Sequence, residues 1–456
     1  MPSEPPGPRL PALLQTALFL RDPLGTLEAN FRRYGPVFRM NFVGFPPEVL
    51  VATAELAEKV YALDAGGGRA GEVRRQFLEP VVGRYSLLSL DGDPWWRHRK
   101  LLSPPLHGKA ISAYRGEIAA IAAAQIDRWP VGTPFALRDR MQDITLEVIL
   151  RLVFGVRDPA RLARLRALVP GLADVSGPVV LLVMPPKLRA WAERSPVLRR
   201  LPFLPTTRFL RVRAEVDELL YEEIAQRRLT LNPDATDVLS CLLAARDEDG
   251  QPLSDQELRD ELITLLEAGH ETTATGLAWA FERLLRNTDV LSRLQDELAG
   301  GRDEYLAEVV KEALRSRPVV YDVPRLLDDP LRLGGFEVPA GWIAAPLIFL
   351  IHRDPQAFPE PEEFRPERFH GDESATISKS WMPFGGGRRY CAGAQLALLE
   401  MRVVITEVLR RVELAAPSTA PEAPRIKHVT VVPADKTRVV VRARKPLPAP
   451  AGRDVG

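Results

Sequence analysis

One segment of the chain combines glycine, arginine and cysteine in a spacing that can support chemistry. Residues 382–393 read Met-Pro-Phe-Gly-Gly-Gly-Arg-Arg-Tyr-Cys-Ala-Gly, and an apolar helical pattern follows over Ala394–Val412. Three consecutive glycines let the backbone turn sharply and approach a flat ligand. Cys391 stands at the entrance of the helix, where terminal N–H groups and the cations of Arg388 and Arg389 would favour thiolate over thiol. The segment therefore predicts a reactive thiolate, either a metal ligand or a nucleophile.

The full spacing Phe-x-x-Gly-x-Arg-x-Cys-x-Gly resembles that of the cytochrome P-450 superfamily of haem-thiolate monooxygenases. It is filled by Phe384, Gly387, Arg389, Cys391 and Gly393. The resemblance implies haem b as the cofactor, bound by this loop, with the Cys391 thiolate as the proximal iron ligand. It also implies that Arg389 pairs with a haem propionate and that Phe384 packs beside the sulfur. A thiolate ligand donates electron density to iron and so favours cleavage of the O–O bond.

A second segment of the family pattern lies in the middle of a long predicted helix. It reads Ala268-Gly269-His270-Glu271-Thr272-Thr273. Ala268 and Thr272 are four residues apart and share a helix face, and a threonine hydroxyl can bond back to the carbonyl one turn earlier. The resemblance assigns Thr272 and Glu271 to proton delivery to bound dioxygen. It places Ala268 and Gly269 against the cofactor.

Two more sites follow from the resemblance. Glu312 and Arg315 lie three residues apart, a spacing that in isolation indicates only a surface ion pair. The family joins Glu312, Arg315 and the downstream Arg368 into a buried triad that locks the cysteine loop, a structural role.

Contacts to the haem propionates are expected from three more residues. Trp95 and Arg99 are one helical turn apart, and Arg325 is the matching third contact. The pair Trp96 and Lys100 has the same spacing and is an alternative frame. A charged helix face with aromatic neighbours is the structural alternative to both.

A dinucleotide-binding motif is also present, but the elements around it do not support that function. Gly66–Gly71 fits Gly-x-Gly-x-x-Gly, and Asp91 follows about twenty residues later, as a dinucleotide site requires. However, Ala54–Leu63 before it has the pattern of an amphipathic helix rather than a buried strand, so we predict a mobile loop.

Two hydrolytic chemistries complete the alternatives. His270 and Glu271 form half of a His-Glu-x-x-His zinc site, but Ala274 stands where the second histidine would be. A cysteine-dependent hydrolase would need a histidine beside Cys391. None of the 6 histidines lies in a convincing motif, so this class remains a weak second hypothesis.

Composition excludes several classes of protein. Lys+Arg 61 against Asp+Glu 60 leaves a formal charge of +1, so no global field attracts nucleic acid. Only Cys241 and Cys391 are present, which indicates a reducing compartment and excludes multi-thiolate zinc sites. The apolar stretch Leu10–Leu20 is far shorter than the ~20 residues of a membrane span. We expect a cytoplasmic protein without a membrane span.

Apolar periodicity predicts a mainly α fold with a minor β region (α+β), and the resemblance implies a triangular cytochrome P-450-like fold with a long central helix over the haem. The predicted helices are Ala54–Leu63, Ile111–Trp129, Met141–Phe154, Phe209–Arg228, Val238–Arg246 and Asp255–Leu285. The predicted strands are Val37–Phe42, Val49–Ala52, Leu331–Val338, Trp342–Pro346 and a closing pair, Ile426–Val432 with Arg438–Arg442. We expect one domain over residues 1–456, with frayed proline-rich tails at about 1–11 and 446–456.

The resemblance implies insertion of one oxygen atom of dioxygen into a C–H or C=C bond of a small molecule. Apolar residues 178–184 and 201–204 favour a lipophilic substrate. Long-chain fatty acids or terpenoids are preferred, and tailoring of a polyketide or other secondary metabolite is the alternative.

Electrons are expected from a separate ferredoxin or flavodoxin with its NAD(P)H reductase, because no flavin pattern follows Cys391. A local basic patch could steer such an acidic partner. Its candidate members are Arg97, Lys100, Lys109, Lys379 and Arg388.

Overall fold

Helices account for most of the regular secondary structure. The computed structural model describes residues 4–156, 158–175, 205–230, 237–371, 377–427 and 429–446. Within these residues the α-helices are α1 (Ala12–Arg21), α2 (Pro23–Tyr34), α3 (Ala54–Ala62), α4 (Ala70–Val82), α5 (Gly92–Leu102), α6 (Lys109–Ala113), α7 (Arg115–Ile126), α8 (Leu137–Val148), α9 (Pro159–Val175), α10 (Pro205–Leu229), α11 (Val238–Ala244), α12 (Asp255–Arg286), α13 (Thr288–Ala299), α14 (Glu304–Ser316), α15 (Ile348–Ile351) and α16 (Ala394–Arg411). A π-helical turn, Ile149–Val153, continues α8.

Short strands from distant parts of the chain form the minor β region. The strands are β1 (Val37–Met40), β2 (Glu48–Val51), β3 (Gly68–Arg69), β4 (Phe135–Ala136), β5 (Arg325–Leu327), β6 (Leu331–Leu333), β7 (Phe336–Val338), β8 (Ile343–Pro346), β9 (Val412–Ala415), β10 (Pro424–Lys427), β11 (Thr430–Pro433) and β12 (Arg438–Arg444). The largest sheet has the order β1-β2-β8-β5-β3, with β2 and β8 parallel and the other neighbours antiparallel. A second sheet has the order β4-β12-β9. The predicted mainly α fold with a minor β region is confirmed.

Helix α12 crosses the core. Ser254 caps its first turn, and the Ser254 N–H donates to the Glu257 carboxylate, which completes a capping box. Its 32 residues span about 48 Å at ~1.5 Å per residue. The helix packs against α8, α10, α14 and α16. The buried Trp279 fixes it to β11 by donating its indole N–H to the Val431 carbonyl at 2.8 Å.

Two strand predictions were wrong, because each predicted single strand is a two-stranded hairpin. Ile426–Val432 does not pair with Arg438–Arg442, because β10 and β11 form a hairpin of their own. Strand β12 instead pairs with β9 and β4, which precede it by many residues. Likewise, Leu331–Val338 is a hairpin of β6 and β7 that turns at Gly334 and Gly335, both with positive φ. Strand propensity is local, whereas the choice of partner depends on the packed fold.

The expected mobile loop at Gly66–Gly71 is also wrong. Gly68 and Arg69 form β3, which pairs antiparallel with β5, and α4 begins at Ala70. Antiparallel pairing excludes the parallel βαβ unit of a dinucleotide site.

No helix among the described residues has the length and apolarity to cross a bilayer. The apolar residues 178–184 and 201–204, expected to favour a lipophilic substrate, lie outside the described residues, as do positions 447–456 of the predicted C-terminal tail.

Candidate active site

Glycines shape the loop that carries Cys391. The sequence analysis explained them by the approach of a flat ligand, but the structure shows a close approach to a neighbouring helix. Gly385 and Gly387 have φ of 71° and 66°, a conformation that favours glycine. A Cβ on Gly386 would lie 2.4 Å from the ring of Tyr61, and one on Gly387 would lie 2.7 Å from the Tyr61 carbonyl. The close approach that the glycines permit is therefore to α3. The loop is closed by the Cys391 N–H, which donates to the Phe384 carbonyl at 3.1 Å.

The thiol of Cys391 is accessible although it lies deep in the protein. Burial raises its pKa, and the backbone N–H groups of Gly393 and Ala394 together with Arg99 partly offset this effect. The expectation that Arg388 and Arg389 supply the cation was wrong, because Arg99 from α5 does so. An accessible sulfur that receives two N–H groups at a helix start is suited to carry negative charge when a cation binds it.

Aromatic rings surround the loop. Phe384 makes edge contacts with Trp381 and Tyr390, each at 6.1 Å between ring centroids. Below the loop, the buried His352 accepts a hydrogen bond from the Met382 N–H at 2.9 Å through Nε2. These contacts fix the loop on both sides of the thiol.

The middle of α12 is partly accessible, between the buried stretches 258–264 and 273–278. Ala268 is exposed, and the Thr272 hydroxyl donates to the Ala268 carbonyl at 2.5 Å. This is the bond to the preceding turn that the sequence suggested. Gly269 lies close to the π-helical turn, because a Cβ there would lie 2.8 Å from Cδ1 of Ile149. Glycine at this position lets the π-helical turn pack against α12.

Glu271 is held by cations from two other elements. Nη2 of Arg138 on α8 donates to it at 2.6 Å, and Nζ of Lys427 on β10 lies 3.5 Å away. Burial opposes ionisation of Glu271, but Lys427 and Arg138 outweigh it and lower the pKa. Glu271 is therefore a carboxylate at neutral pH.

Arg389 and Arg325 are both anchored by buried or half-buried acids. Nη2 of Arg389 donates to Asp91 at 2.6 Å and to the Leu90 carbonyl at 2.7 Å. Its guanidinium stacks over Trp95 at 4.6 Å, so Trp95 acts by holding this arginine. Arg325, on β5, donates through Nε to Asp64 at 2.6 Å. Asp91 also accepts the N–H groups that open α4, which gives the residue of the rejected dinucleotide motif a structural role.

A third arginine, Arg74 on α4, completes this cluster and was missed by the sequence analysis. Burial, together with the nearby positive charges of Arg325 and Arg389, lowers the pKa of Arg74 to about 9. It makes no hydrogen bond or ion pair with another described residue. Its only sequence signal was the basic pair Arg74-Arg75.

The environment of Arg74, Arg325 and Arg389 indicates whether an anionic cofactor fits here. Three arginines face the carboxylates of Asp64 and Asp91, and burial raises the pKa of a third acid, Asp322, to about 7. Nη1 of Arg389 is buried and has no hydrogen-bond partner among the described residues. Buried donors and an unpaired guanidinium call for an anionic acceptor. Two carboxylates of a flat cofactor, such as haem propionates, would satisfy them.

The predicted triad lies behind the loop. Nε of Arg315 donates to Glu312 at 2.7 Å, and Nε of Arg368 lies 3.1 Å from the same carboxylate. Each of the three is at most 1 % exposed. Arg315 also donates to the His352 carbonyl at 2.9 Å, so the triad is connected to the cysteine loop through His352.

The geometry supports neither Trp96 with Lys100 as the pair that contacts the haem nor a zinc-dependent or cysteine-dependent hydrolase site. Trp96 is exposed and lies under Lys100 at 5.3 Å, on the surface. The groups that act on the Cys391 thiol are Gly393, Ala394 and Arg99, none of them a histidine. Among the described residues, no cluster of three or more His, Cys, Asp or Glu side chains could hold a metal ion.

Comparison with known proteins supplies the family context. A family model described as Cytochrome P450 matches residues 2–441. The chain is 45% identical over 458 residues to cytochrome P450 135B1 of Mycobacterium tuberculosis, covering 98% of this chain and 93% of that one. It is 38% identical to cytochrome P450 135A1 of the same species, covering 94% and 93%.

Solved structures show the same fold. A retinoic acid bound cyanobacterial CYP120A1 matches with a TM-score of 0.80 at 25% identity, over 97% of this chain and 99% of that one. The cytochrome P450DA heme domain matches with a TM-score of 0.84 at 23% identity, over 98% of each.

Proposed function

Since this chain belongs to the cytochrome P450 family of monooxygenases, we propose that it inserts one oxygen atom of dioxygen into a C–H or C=C bond of a lipophilic small molecule. The cofactor of the family is haem b. The observation that carries the proposal is the accessible Cys391 thiol, which receives two backbone N–H groups where α16 begins.

The described residues fit haem b in named roles. Cys391 would ligate the iron, with Phe384 beside it and Gly393 at the start of the helix. Arg74, Arg99, Arg325 and Arg389 would meet the propionates, with Trp95 holding Arg389 in place. When bound, the haem supplies redox chemistry and activation of dioxygen that no side chain can supply.

Thr272 and Glu271 are the proposed proton-delivery pair. The Thr272 hydroxyl is held by the Ala268 carbonyl on the accessible face of α12. The Glu271 carboxylate, kept ionised by Arg138 and Lys427, can take a proton and release it again. The two residues are adjacent on α12, so the helix itself sets the separation of their side chains.

A long-chain fatty acid or a terpenoid is the proposed substrate class. The retinoic acid bound relative gives one example of an isoprenoid ligand in this fold. Tailoring of a polyketide or other secondary metabolite is the second candidate. We also propose that residues 1–456 act as one unit in the cytoplasm, which the two free cysteines support.

Electrons would come from a separate ferredoxin or flavodoxin with its NAD(P)H reductase. The basic patch is smaller than the sequence implied. Arg97 forms ion pairs with Asp247 and Glu257. Lys100 forms an ion pair with Glu248. The side chain of Lys109 lies outside the described part of the structure, and Lys379 is exposed. The exposed Trp96, with Arg388 at 5.6 Å from its ring, supports a docking point near the cysteine loop.

Arg388→Glu tests this docking point. We expect slower reduction by an acidic ferredoxin, with a difference that shrinks at high salt because the attraction is screened. Arg9→Glu makes the same charge change at another exposed position and should reduce at the wild-type rate. Equal rates for wild type and Arg388→Glu would exclude this surface.

The decisive experiment for the family chemistry is a reduced carbon-monoxide difference spectrum. Wild type should give the thiolate signature, and Cys391→Ala should abolish it. Cys241→Ala, at the other cysteine, should leave it unchanged. Titration with fatty acids and terpenoids should then shift the Soret band. A normal thiolate spectrum without any such shift would contradict the substrate class, and a spectrum retained in Cys391→Ala would contradict the site.

A further inference from the structure

The middle of α12 carries an accessible face between two buried stretches of the helix. Residues 258–264 and 273–278 of this helix are buried. Between them Leu265, Ala268 and Thr272 are accessible, and their spacing of three and four places them on one helix face. Because the helix is in the core on both sides of this stretch, the accessible face lies inside the molecule.

Glu267 borders this face and carries a carboxyl group that the fold does not satisfy. The side chain is partly accessible, and its Oε1 is buried without a hydrogen-bond partner among the described residues. Burial and the nearby Glu271 raise its pKa to about 8, opposed by Lys427. At neutral pH it is therefore mainly protonated and offers both an O–H donor and an acceptor.

The surrounding charges decide what this carboxyl group can bind. Arg138 and Lys427 both lie at the Glu271 carboxylate, and Lys427 also lowers the pKa of Glu267. A cationic ligand group would be repelled by these two cations, and an anionic one would meet the Glu271 carboxylate. An uncharged oxygen avoids both penalties and satisfies the orphaned carboxyl.

We propose that Glu267 is a specificity-determining residue that hydrogen-bonds an uncharged hydroxyl or carbonyl oxygen of the lipophilic substrate. This inference rests on the proposed function and narrows its substrate class to molecules with such an oxygen. An unsatisfied buried carboxyl group costs stability in the free protein, and a ligand oxygen would remove that cost on binding.

The test compares ligands of equal chain length that differ only in their head group. Lauryl alcohol, methyl decyl ketone, dodecane and laurate are titrated by Soret shift against the haem-loaded wild type, Glu267→Gln and Glu267→Leu. Glu267→Leu should lose about five- to tenfold in affinity for the alcohol and the ketone and none for dodecane. Glu267→Gln, which keeps a donor and an acceptor, should retain most of the preference. Glu267→Leu should melt no lower than wild type, because it removes an unsatisfied group.

The outcomes separate this inference from the proposed function. An unchanged ratio of alcohol to dodecane affinity in Glu267→Leu overturns the inference and leaves the monooxygenase intact. Reduced turnover with unchanged affinities also overturns it, because the carboxyl would then serve in proton transfer. Wild-type protein that binds none of the four ligands contradicts both the lipophilic substrate and this inference.

Discussion

At the scale of single residues, the site contains buried arginine groups that lack some of their hydrogen-bond partners. Arg389 retains an orphaned Nη1, and Arg74 has no described hydrogen-bond partner. Burial, with Asp91 opposing it, lowers the pKa of Arg389 to about 10. Groups in this condition gain stability when an anion binds, so the protein and its cofactor are expected to stabilise each other.

Arg74→Leu tests whether this buried arginine stabilises the bound cofactor. We expect haem to dissociate about tenfold faster or more, since a charge-assisted hydrogen bond to a propionate is lost. The measurement is the rate of haem transfer to apomyoglobin. Arg75→Leu is the matched control, because Arg75 is 41 % exposed and pairs with Glu72. Equal transfer rates for Arg74→Leu and wild type would show that Arg74 does not hold the cofactor.

At the scale of elements, one buried carboxylate joins two segments that are remote in sequence. Glu312 on α14 binds Arg315 one turn on, Arg368 from a 3-10 turn, and the Arg365 N–H at 2.9 Å. Since the cysteine loop reaches this cluster through His352, the stability of the loop depends on an ion network that is remote in sequence. Removing one partner from a buried ion pair leaves an uncompensated charge.

Arg368→Leu should therefore lower the free energy of unfolding by about 3–5 kcal/mol. Chemical denaturation of the holoprotein measures this change. Arg365→Leu, whose side chain is 38 % exposed and pairs with Glu360, should cost under about 1 kcal/mol. A similar small loss for both variants would mean that the triad does not hold the loop.

At the scale of the whole molecule, α5 is tied to α12 by a buried histidine. His98 contacts Glu261 at 2.7 Å through Nδ1 and Glu257 at 3.2 Å through Nε2. Burial opposes its charge, but the hydrogen bonds to these two carboxyl groups prevail and raise its pKa. Arg99, the cation beside Cys391, follows His98 directly, so this contact also positions the site.

The sign of the pH dependence follows from the raised pKa of His98. Its contribution to stability is complete below the unfolded value of about 6.5 and is lost as pH rises through the folded value. We expect the melting temperature of the holoprotein to exceed that of His98→Gln most at about pH 6 and least at about pH 9. His370→Gln, at a position where the side chain is 79% exposed, is the matched control. A gap between wild type and His98→Gln that widens with rising pH would contradict the assignment.

The amino-acid sequence by itself predicted the long central helix and the family, because both follow from local patterns. The apolar period predicted a helix over Asp255–Leu285, one residue short of the observed end of α12 at Arg286. Binary patterns of this kind report which face is buried without knowledge of the partner. The spacing around Cys391 was specific enough to indicate the family.

Tertiary structure alone decided the pairings. Arg325 and Asp64 are 261 residues apart in sequence, and Arg389 and Asp91 are 298 apart. Nothing in the local sequence of Arg74 or Glu267 indicates that it would be left without a partner. Such properties arise only when the packed backbone fixes which charges meet and which are buried alone, since the cost of burying a charge depends on its three-dimensional surroundings.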